Sequence, residues 1–258
     1  MGSVDRSVEA SNQRCPDTLF EQSIMDAGKP EVSVVLPVYN ESSILRSNVL
    51  LVESVVKGIT SSYEIIIVED GSTDGSDRIA ETMSRENPRI IHLHSETRLG
   101  KGNALKKALK YCKGETVVFM DIDLATNLRH VSELIDLIRS GHAAIVGSRL
   151  ARGARVRRPI SRKIASLAYN LLVNVLFYDG VFDHQCGFKG FSRKALAKVI
   201  DDVNDGGFFF DTEIIVRLKR KGFSVVELPL EWTEPRVSYL HEGPLRMLFK
   251  LLALRFSL

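Results

Sequence analysis

The sequence predicts an α/β fold with a mostly parallel central sheet. Two observations lead there. Through the first half of the chain strand-like runs alternate with segments of helical periodicity, and each strand-like run is apolar throughout instead of at every second residue. Continuous apolarity means that both faces of a strand are covered, the condition of parallel strands between two helix layers. A third observation concerns one run, Thr116 to Thr126 (TVVFMDIDLAT), which passes straight from Val117, Val118, Phe119 and Met120 into two carboxylates, Asp121 and Asp123.

The elements follow in order. Residues 1–29 are polar and mixed in charge and read as a flexible leader without the basic and apolar blocks of a signal peptide. After Pro30, Val32 to Val38 is a strand, and Pro37 marks its end. Asn40 and Ser42 are candidate caps for a helix whose Leu45, Val49, Val52, Val56 and Ile59 form one core-facing stripe. Tyr63 to Val68 is the second strand, followed by EDGSTD and a helix that Asn87-Pro88 stops. Ile90 to Leu93 is the third. Gly100-Lys101-Gly102 opens a helix running to Cys112, and the acidic strand follows. A helix over Arg129 to Ser140 and a strand over Ala143 to Val146 complete this half.

The second half is less regular. It predicts helices over Arg162 to Tyr178, Arg193 to Val203 and Asp211 to Lys221, strands over Gly187 to Ser192 and Ser224 to Leu228, and an apolar closing helix from Pro244. The main domain is expected over residues 30–242, and an amphipathic helix over 243–258.

The net charge of +3 gives no argument for nucleic acid. Distribution matters more, since seven basic residues and no acidic one lie between Arg149 and Lys163, an anion site by composition. Three widely spaced cysteines form neither a disulfide scaffold nor a zinc knuckle and fit a cytoplasmic setting. No apolar run approaches the roughly 20 residues of a spanning helix, so membrane contact is expected to be peripheral.

Asp121 and Asp123 stand one residue apart at the carboxyl end of a strand, where open α/β sheets bind ligands. An extended chain would aim both at one divalent cation, Mg²⁺ or Mn²⁺; the bland alternative is a solvated turn. The architecture is Rossmann-like, yet Gly100-Lys101-Gly102-Asn103-Ala104-Leu105 lacks the third glycine of a dinucleotide fingerprint and no Walker A run occurs. His92 and His94 share a strand face, but with no third ligand nearby in sequence they are expected to be structural.

VVLPVYNE (34–41), VEDGSTD (68–74), GKGNAL (100–105), DID (121–123), GSR (147–149) and QCGFKGF (185–191) stand in the order found in family 2 inverting glycosyltransferases of the GT-A fold, and the chain resembles that family from Val32 to Trp232. Within it the chain looks most like the dolichyl-phosphate or polyprenyl-phosphate sugar synthases, and DIDLAT with DHQCGFK and FFFDTE resembles the branch that uses UDP-glucose. EPRVSYLH departs from the Gly-Ser-Lys pattern at the acceptor positions Arg236 and Ser238.

The resemblance implies that Pro37, Tyr39, Glu41, Val68, Asp70, Lys101, Asp121, Ile122 and Asp123 hold a nucleotide-sugar donor, with Asp70 on the base and Lys101 at a phosphate. Asp121 and Asp123 would take the metal. Arg149, Arg162 and Ser166 match acceptor-phosphate positions, with Gln185 and Lys189 lining the cavity. Asp211 and Glu213 are the remaining catalytic candidates, although a phosphate acceptor with its second pKa near 6 needs no strong base. The partners implied are a nucleotide sugar, a polyprenyl phosphate and the cytoplasmic face of a membrane, with a second copy or a small anchoring protein as further partners. Rival readings are the same reaction with GDP-mannose, transfer to a saccharide hydroxyl, and nucleotide-sugar binding without catalysis.

Overall fold

A computed structural model describes residues 29–234 and 243–258. The leader, apart from Lys29, and the positions Arg236 and Ser238 lie outside the described residues. In chain order the elements are β1 (Val32–Val38), α1 (Leu45–Ile59), β2 (Tyr63–Glu69), α2 (Ser76–Glu86), β3 (Ile90–Leu93), α3 (Lys101–Tyr111), β4 (Thr116–Met120), α4 (His130–Arg139), β5 (Ala144–Ser148), β6 (Arg155–Arg157), α5 (Ile160–Phe177), β7 (Phe188–Ser192), α6 (Arg193–Ala197), α7 (Phe210–Arg220), β8 (Val225–Pro229), β9 (Glu231–Thr233) and α8 (Pro244–Ser257).

The apolar runs assemble into a seven-stranded sheet of order β3-β2-β1-β4-β7-β5-β8. Only β7 is antiparallel to its neighbours, β4 and β5, so the sheet is mostly parallel as the sequence predicts. Successive residues serve opposite layers. Val34 and Leu36 of β1 pack with α1, α2 and α4, while Val35 packs with α3, α6 and α7. The α1 stripe Leu45, Val49, Val52 and Val56 is fully buried, each side chain contributing about 1.5–3 kcal/mol.

Several local expectations change. Asn40 and Ser42 do not cap α1, whose N-cap is Ile44 with no side-chain bond. They tie the β1 and β2 loops together instead: Asn40 Oδ1 accepts Thr73 N–H at 2.8 Å, and Ser42 N–H donates to Asp74 Oδ2 at 2.9 Å. The helix predicted over 193–203 ends at Ala197, because residues 198–202 turn toward a loop organised by Glu213. The small β6–β9 ladder escapes sequence reading because Arg155-Val156-Arg157 carries no apolar run.

Helix α8 packs on α5 through Met247, Leu251 and Leu254, together with Val173 and Phe177. It also exposes Leu245, Phe249 and Phe256, so it is apolar on both its packed and its open side and the expected amphipathic character is not borne out. Leu172 and Leu176 of α5 pack against this cluster. Ile164, Leu167, Leu171 and Val175 form the exposed face of α5. Among the described residues no helix is long and apolar enough to cross a membrane.

Candidate functional site

The winding of the sheet reverses between β1 and β4, which makes the carboxyl end of β4 the place where an open α/β sheet offers a crevice. Asp121 and Asp123 sit there. They do not continue the strand, as the sequence reading assumed: Leu124 N–H donates to the Asp121 carbonyl at 3.3 Å and Leu124 adopts φ 52°, closing a tight turn. Both aspartates then line one cavity with Thr126, Gly187 and Trp232. Ile122 between them is buried in the core, and Asn48 Nδ2 holds its carbonyl at 2.8 Å, so its side chain cannot touch a ligand in this cavity. A Cβ at Gly187 would stand 1.8 Å from Asp121 Oδ2, and glycine is required for this close approach.

Lys101 begins α3 and points its ammonium at Asp121 Oδ1, 2.9 Å away, with Asp211 Oδ2 at 3.8 Å. Burial acts to lower its pKa, but Asp121 and Asp211 outweigh that and hold it above the usual lysine range. At this helix start Gly102 and Asn103 N–H both donate to the Gly206 carbonyl. It is the side chain of Lys101 that reaches the aspartate pair, at Asp121. Asp70 Oδ1 and Oδ2 accept Leu99 N–H at 2.7 Å and Gly100 N–H at 3.0 Å, which fixes the approach to Lys101.

The other residues expected at a donor, Pro37, Tyr39, Glu41 and Val68, cluster at the β1 and β2 ends. Pro37 pairs in register with buried Val68. The Arg98 guanidinium stacks over the ring of Tyr39 at 3.8 Å. Glu41 N–H donates to Ser76 Oγ at 2.9 Å.

Asp211 and Glu213 separate. Asp211, on the first turn of α7, accepts a hydrogen bond from Lys189 Nζ at 2.5 Å, and both side chains are buried. Lys189, expected to line the acceptor cavity, is thus its counter-ion. Glu213 faces away from the cavity: it collects Asn204 and Asp205 N–H and is paired with Arg217. Through that loop it supports Gly206, the acceptor for the start of α3. The Glu213 carboxylate, expected among the catalytic candidates, is thus engaged by this loop and by Arg217.

The basic run is also reorganised. Arg149 is locked to Asp183 by three hydrogen bonds of 2.8 Å, its main-chain N–H among them. Burial alone would lower its pKa, but the Asp183 charge wins and raises it. Asp183 belongs to a loop anchored on α5, where Asn170 Oδ1 accepts His184 N–H at 3.0 Å. Arg162 pairs with Glu234. Ser166 Oγ accepts from Arg158 Nη2 at 3.0 Å, and Gln185 is half-buried beside Cys186.

The cation the sequence reading passed over is Arg158. Its Nη2 also donates to the Arg162 carbonyl at 2.7 Å, while its Nε and Nη1 are buried without a hydrogen-bond partner among the described residues. Burial, and then the Arg149 and Arg162 charges, pull its pKa below the usual arginine value. Arg158 lines a pocket with Arg149, Lys163 and the apolar Leu150, Ala154, Val156 and Ile160. The Arg149 and Arg158 guanidinium carbons lie 5.5 and 5.8 Å from the Trp232 ring, so Trp232 joins this pocket to the aspartate cavity.

Glycosyl transferase family 2, as a family profile, matches residues 33–200. The chain belongs to this family. Glycosyltransferase AglD of Haloferax volcanii is 43% identical over 209 residues, 80% of this chain and 33% of that protein. This family 2 chain therefore spans about a third of the length of that relative. Two dolichyl-phosphate beta-glucosyltransferases, ALG5A of Trichomonas vaginalis and the Saccharomyces cerevisiae protein, are 31% and 30% identical, covering 82% and 79% of this chain and 68% and 67% of theirs.

Among solved structures, glucosyl-3-phosphoglycerate synthase from Mycobacterium tuberculosis, with Mn²⁺, UDP and its product, has TM-score 0.60 at 22% identity over 96% of this chain and 86% of that one. The mannosyltransferase PcManGT from Pyrobaculum calidifontis, with GDP-Man and Mn²⁺, has TM-score 0.58 at 19% identity, covering 89% and 64%. The family 2 chain thus has the expected GT-A fold.

The aspartate pair fits a hard divalent ion. It offers carboxylate oxygens only, and among the described residues no third His, Cys, Asp or Glu joins it in a cluster, which leaves coordination positions for water and phosphate. Arg158 and Trp232 were discernible in the sequence only as one of seven basic residues and as the sole tryptophan.

Proposed function

We propose that this chain transfers a hexose, with inversion, from a nucleotide sugar to a polyprenyl phosphate at the cytoplasmic face of a membrane, and that the donor is UDP-glucose. The observation that carries the reading is Arg158, half-buried, whose Nε and Nη1 are buried without a hydrogen-bond partner among the described residues, in a pocket also lined by the apolar Leu150, Ala154, Val156 and Ile160 that adjoins the aspartate cavity across Trp232. A phosphate carried on a hydrocarbon chain complements that pocket in both parts. The dolichyl-phosphate beta-glucosyltransferase identity of the ALG5A and yeast relatives supports the lipid acceptor and glucose.

Asp121 and Asp123 would hold Mg²⁺ or Mn²⁺, which when bound supplies positive charge to the departing diphosphate. Lys101 adds a second charge beside the same oxygens, held ready by Asp121 and Asp211. Pro37, Tyr39, Glu41, Val68 and Asp70 frame the nucleoside, Asp70 mainly by fixing the Leu99–Gly100 backbone. Arg158, supported by Ser166 and repelled by Arg149 and Arg162, grips the acceptor phosphate. A phosphate oxygen attacks the anomeric carbon as the bond to the diphosphate oxygen breaks. With the acceptor already a dianion above about pH 6, no protein base is required, and Asp211 orients Lys101 and Lys189. The exposed apolar faces of α5 and α8 continue from the pocket and lie against lipid.

The test offers the protein UDP-glucose or GDP-mannose with a short, water-soluble prenyl phosphate and Mg²⁺ or Mn²⁺. Expected is an inverted glucosyl phosphoprenol from UDP-glucose. Preference for GDP-mannose would reassign the donor. Transfer solely to saccharide hydroxyls would overturn the acceptor, and donor binding without any product would leave a binding protein.

A further inference from the structure

The pair His92 and His94 lacked a third ligand in the sequence, and the fold provides one. Parallel pairing of β2 with β3 sets Ile67 beside His92, so that Glu69, two residues on, comes level with His94 on the same face of the sheet. The ligand atoms of Glu69, His92 and His94 all lie within 4.8 Å of one another. Glu69 is fully buried, and its Oε2 is 2.6 Å from His94 Nδ1. His92 Nε2 is buried with no hydrogen-bond partner among the described residues. A histidine–carboxylate hydrogen bond accounts for His94 and Glu69 but leaves that nitrogen unexplained.

We propose that Glu69, His92 and His94 form a second metal site, distinct from the aspartate pair, that takes a borderline transition-metal ion of the zinc type. Two imidazoles and one carboxylate suit such an ion, whereas two carboxylates suit Mg²⁺ or Mn²⁺. Tetrahedral bonds of about 2.0–2.1 Å require ligand atoms about 3.4 Å apart. The widest spacing, up to 4.8 Å, must therefore close by up to about 1.4 Å, while the Glu69–His94 pair at 2.6 Å must open by about 0.8 Å; rotation of the exposed His94 allows both while the sheet fixes the other two. A fourth position is left for water. Asp77 and Glu81 on α2 add negative charge at this face, and Lys107 bonds the His94 carbonyl, not its imidazole.

The site stands at the root of the donor loop. Glu69 Oε1 accepts Ser72 N–H, and Asp70 is the next residue. An ion here ties the short edge strand β3 to the end of β2 and fixes that loop from behind. It takes no part in the transfer, so its test does not depend on the proposed reaction.

The untagged 258-residue chain, stripped with a chelator, is dialysed against Zn²⁺ alone and then studied by calorimetry, zinc K-edge absorption and thermal melting. Expected are one zinc held by two imidazoles and a rise in Tm. His94→Gln, at an exposed position, and His92→Gln should each weaken this binding more than about tenfold, while Asp123→Ala keeps it. Absence of bound zinc, binding unchanged in both histidine variants, or binding abolished by Asp123→Ala would each overturn the site.

Discussion

Lys189 and Asp211 form an ion pair at 2.5 Å in the protein interior, with the side chains 0% and 4% exposed. Lys101 approaches the second Asp211 oxygen at 3.8 Å and Asp121 at 2.9 Å. The carboxylate that sequence position offers as a base is thereby committed to two lysines.

Asp211→Asn should cost stability more than chemistry. It strips Lys189 of its counter-charge in a buried setting, a loss of about 3–5 kcal/mol, with Tm falling about 2–4 °C per kcal/mol in a chain of this size. At a temperature where the variant remains folded by circular dichroism, transfer to a prenyl phosphate should continue at a reduced rate. Complete inactivity of the folded variant would restore Asp211 as a base and point to a hydroxyl acceptor.

Arg158→Ala should raise the acceptor KM about 10- to 150-fold, matching the roughly 1.5–3 kcal/mol of a hydrogen bond to a charged group. The donor KM should move little. Because Nε and Nη1 are buried near Arg149 and Arg162 without a hydrogen-bond partner among the described residues, removal of the side chain should leave Tm unchanged or raise it. A fall in Tm with unaltered acceptor KM would make Arg158 structural.

Asp123→Ala should abolish nearly all turnover and leave the melting curve in place, and chelation of Mg²⁺ or Mn²⁺ should mimic it. Gly187→Ala tests the same centre from the other side, since its Cβ must displace the Asp121 carboxylate or shift the chain. Both variants should lose the metal dependence of donor binding, read by titration with and without the ion.

Phe249 and Phe256 are 70% and 88% exposed on α8, opposite the buried Leu251. Replacing both by Asp should reduce sedimentation with phosphatidylcholine vesicles and leave Tm and activity on the soluble acceptor intact. Deleting residues 244–258 should instead lose stability, because Met247, Leu251 and Leu254 belong to the core shared with α5. A change in molecular mass with unchanged vesicle binding would assign this face to a second copy.

Asp74 gives a pH signature. Burial opposes ionisation, but hydrogen bonds from Ser76 and Ser42 outweigh it and lower the carboxyl from 3.8 to about 2. A depressed carboxylate stabilises the fold above its unfolded pKa, and that contribution is lost as pH falls through the folded one. The stability difference between wild type and Asp74→Asn should therefore be constant above about pH 4 and vanish between about 4 and 2, as denaturant titrations would show.

The strands and the helices packed on them were legible because continuous apolar runs and the 4-3-4 spacing of Leu45, Val49, Val52 and Val56 state burial locally. The six motifs, in order, likewise announced a family whose loops meet at one sheet edge. What the chain alone determined is therefore the layered α/β fold, the position of Asp121 and Asp123 at a strand end, and an anion-binding tendency in the basic run. Only the tertiary structure decided which charges are spent. Arg149 is neutralised by Asp183, 34 residues away, Arg162 by Glu234, 72 away, and Asp211 by Lys189, 22 away, while Nε and Nη1 of Arg158 find no hydrogen-bond partner among the described residues. The same holds for Glu69, which reaches His94 across 25 residues. The reason is physical: apolar burial is written in local periodicity, whereas the state of a charge depends on whichever opposite charge the fold brings within about 4 Å, and composition carries no record of that distance.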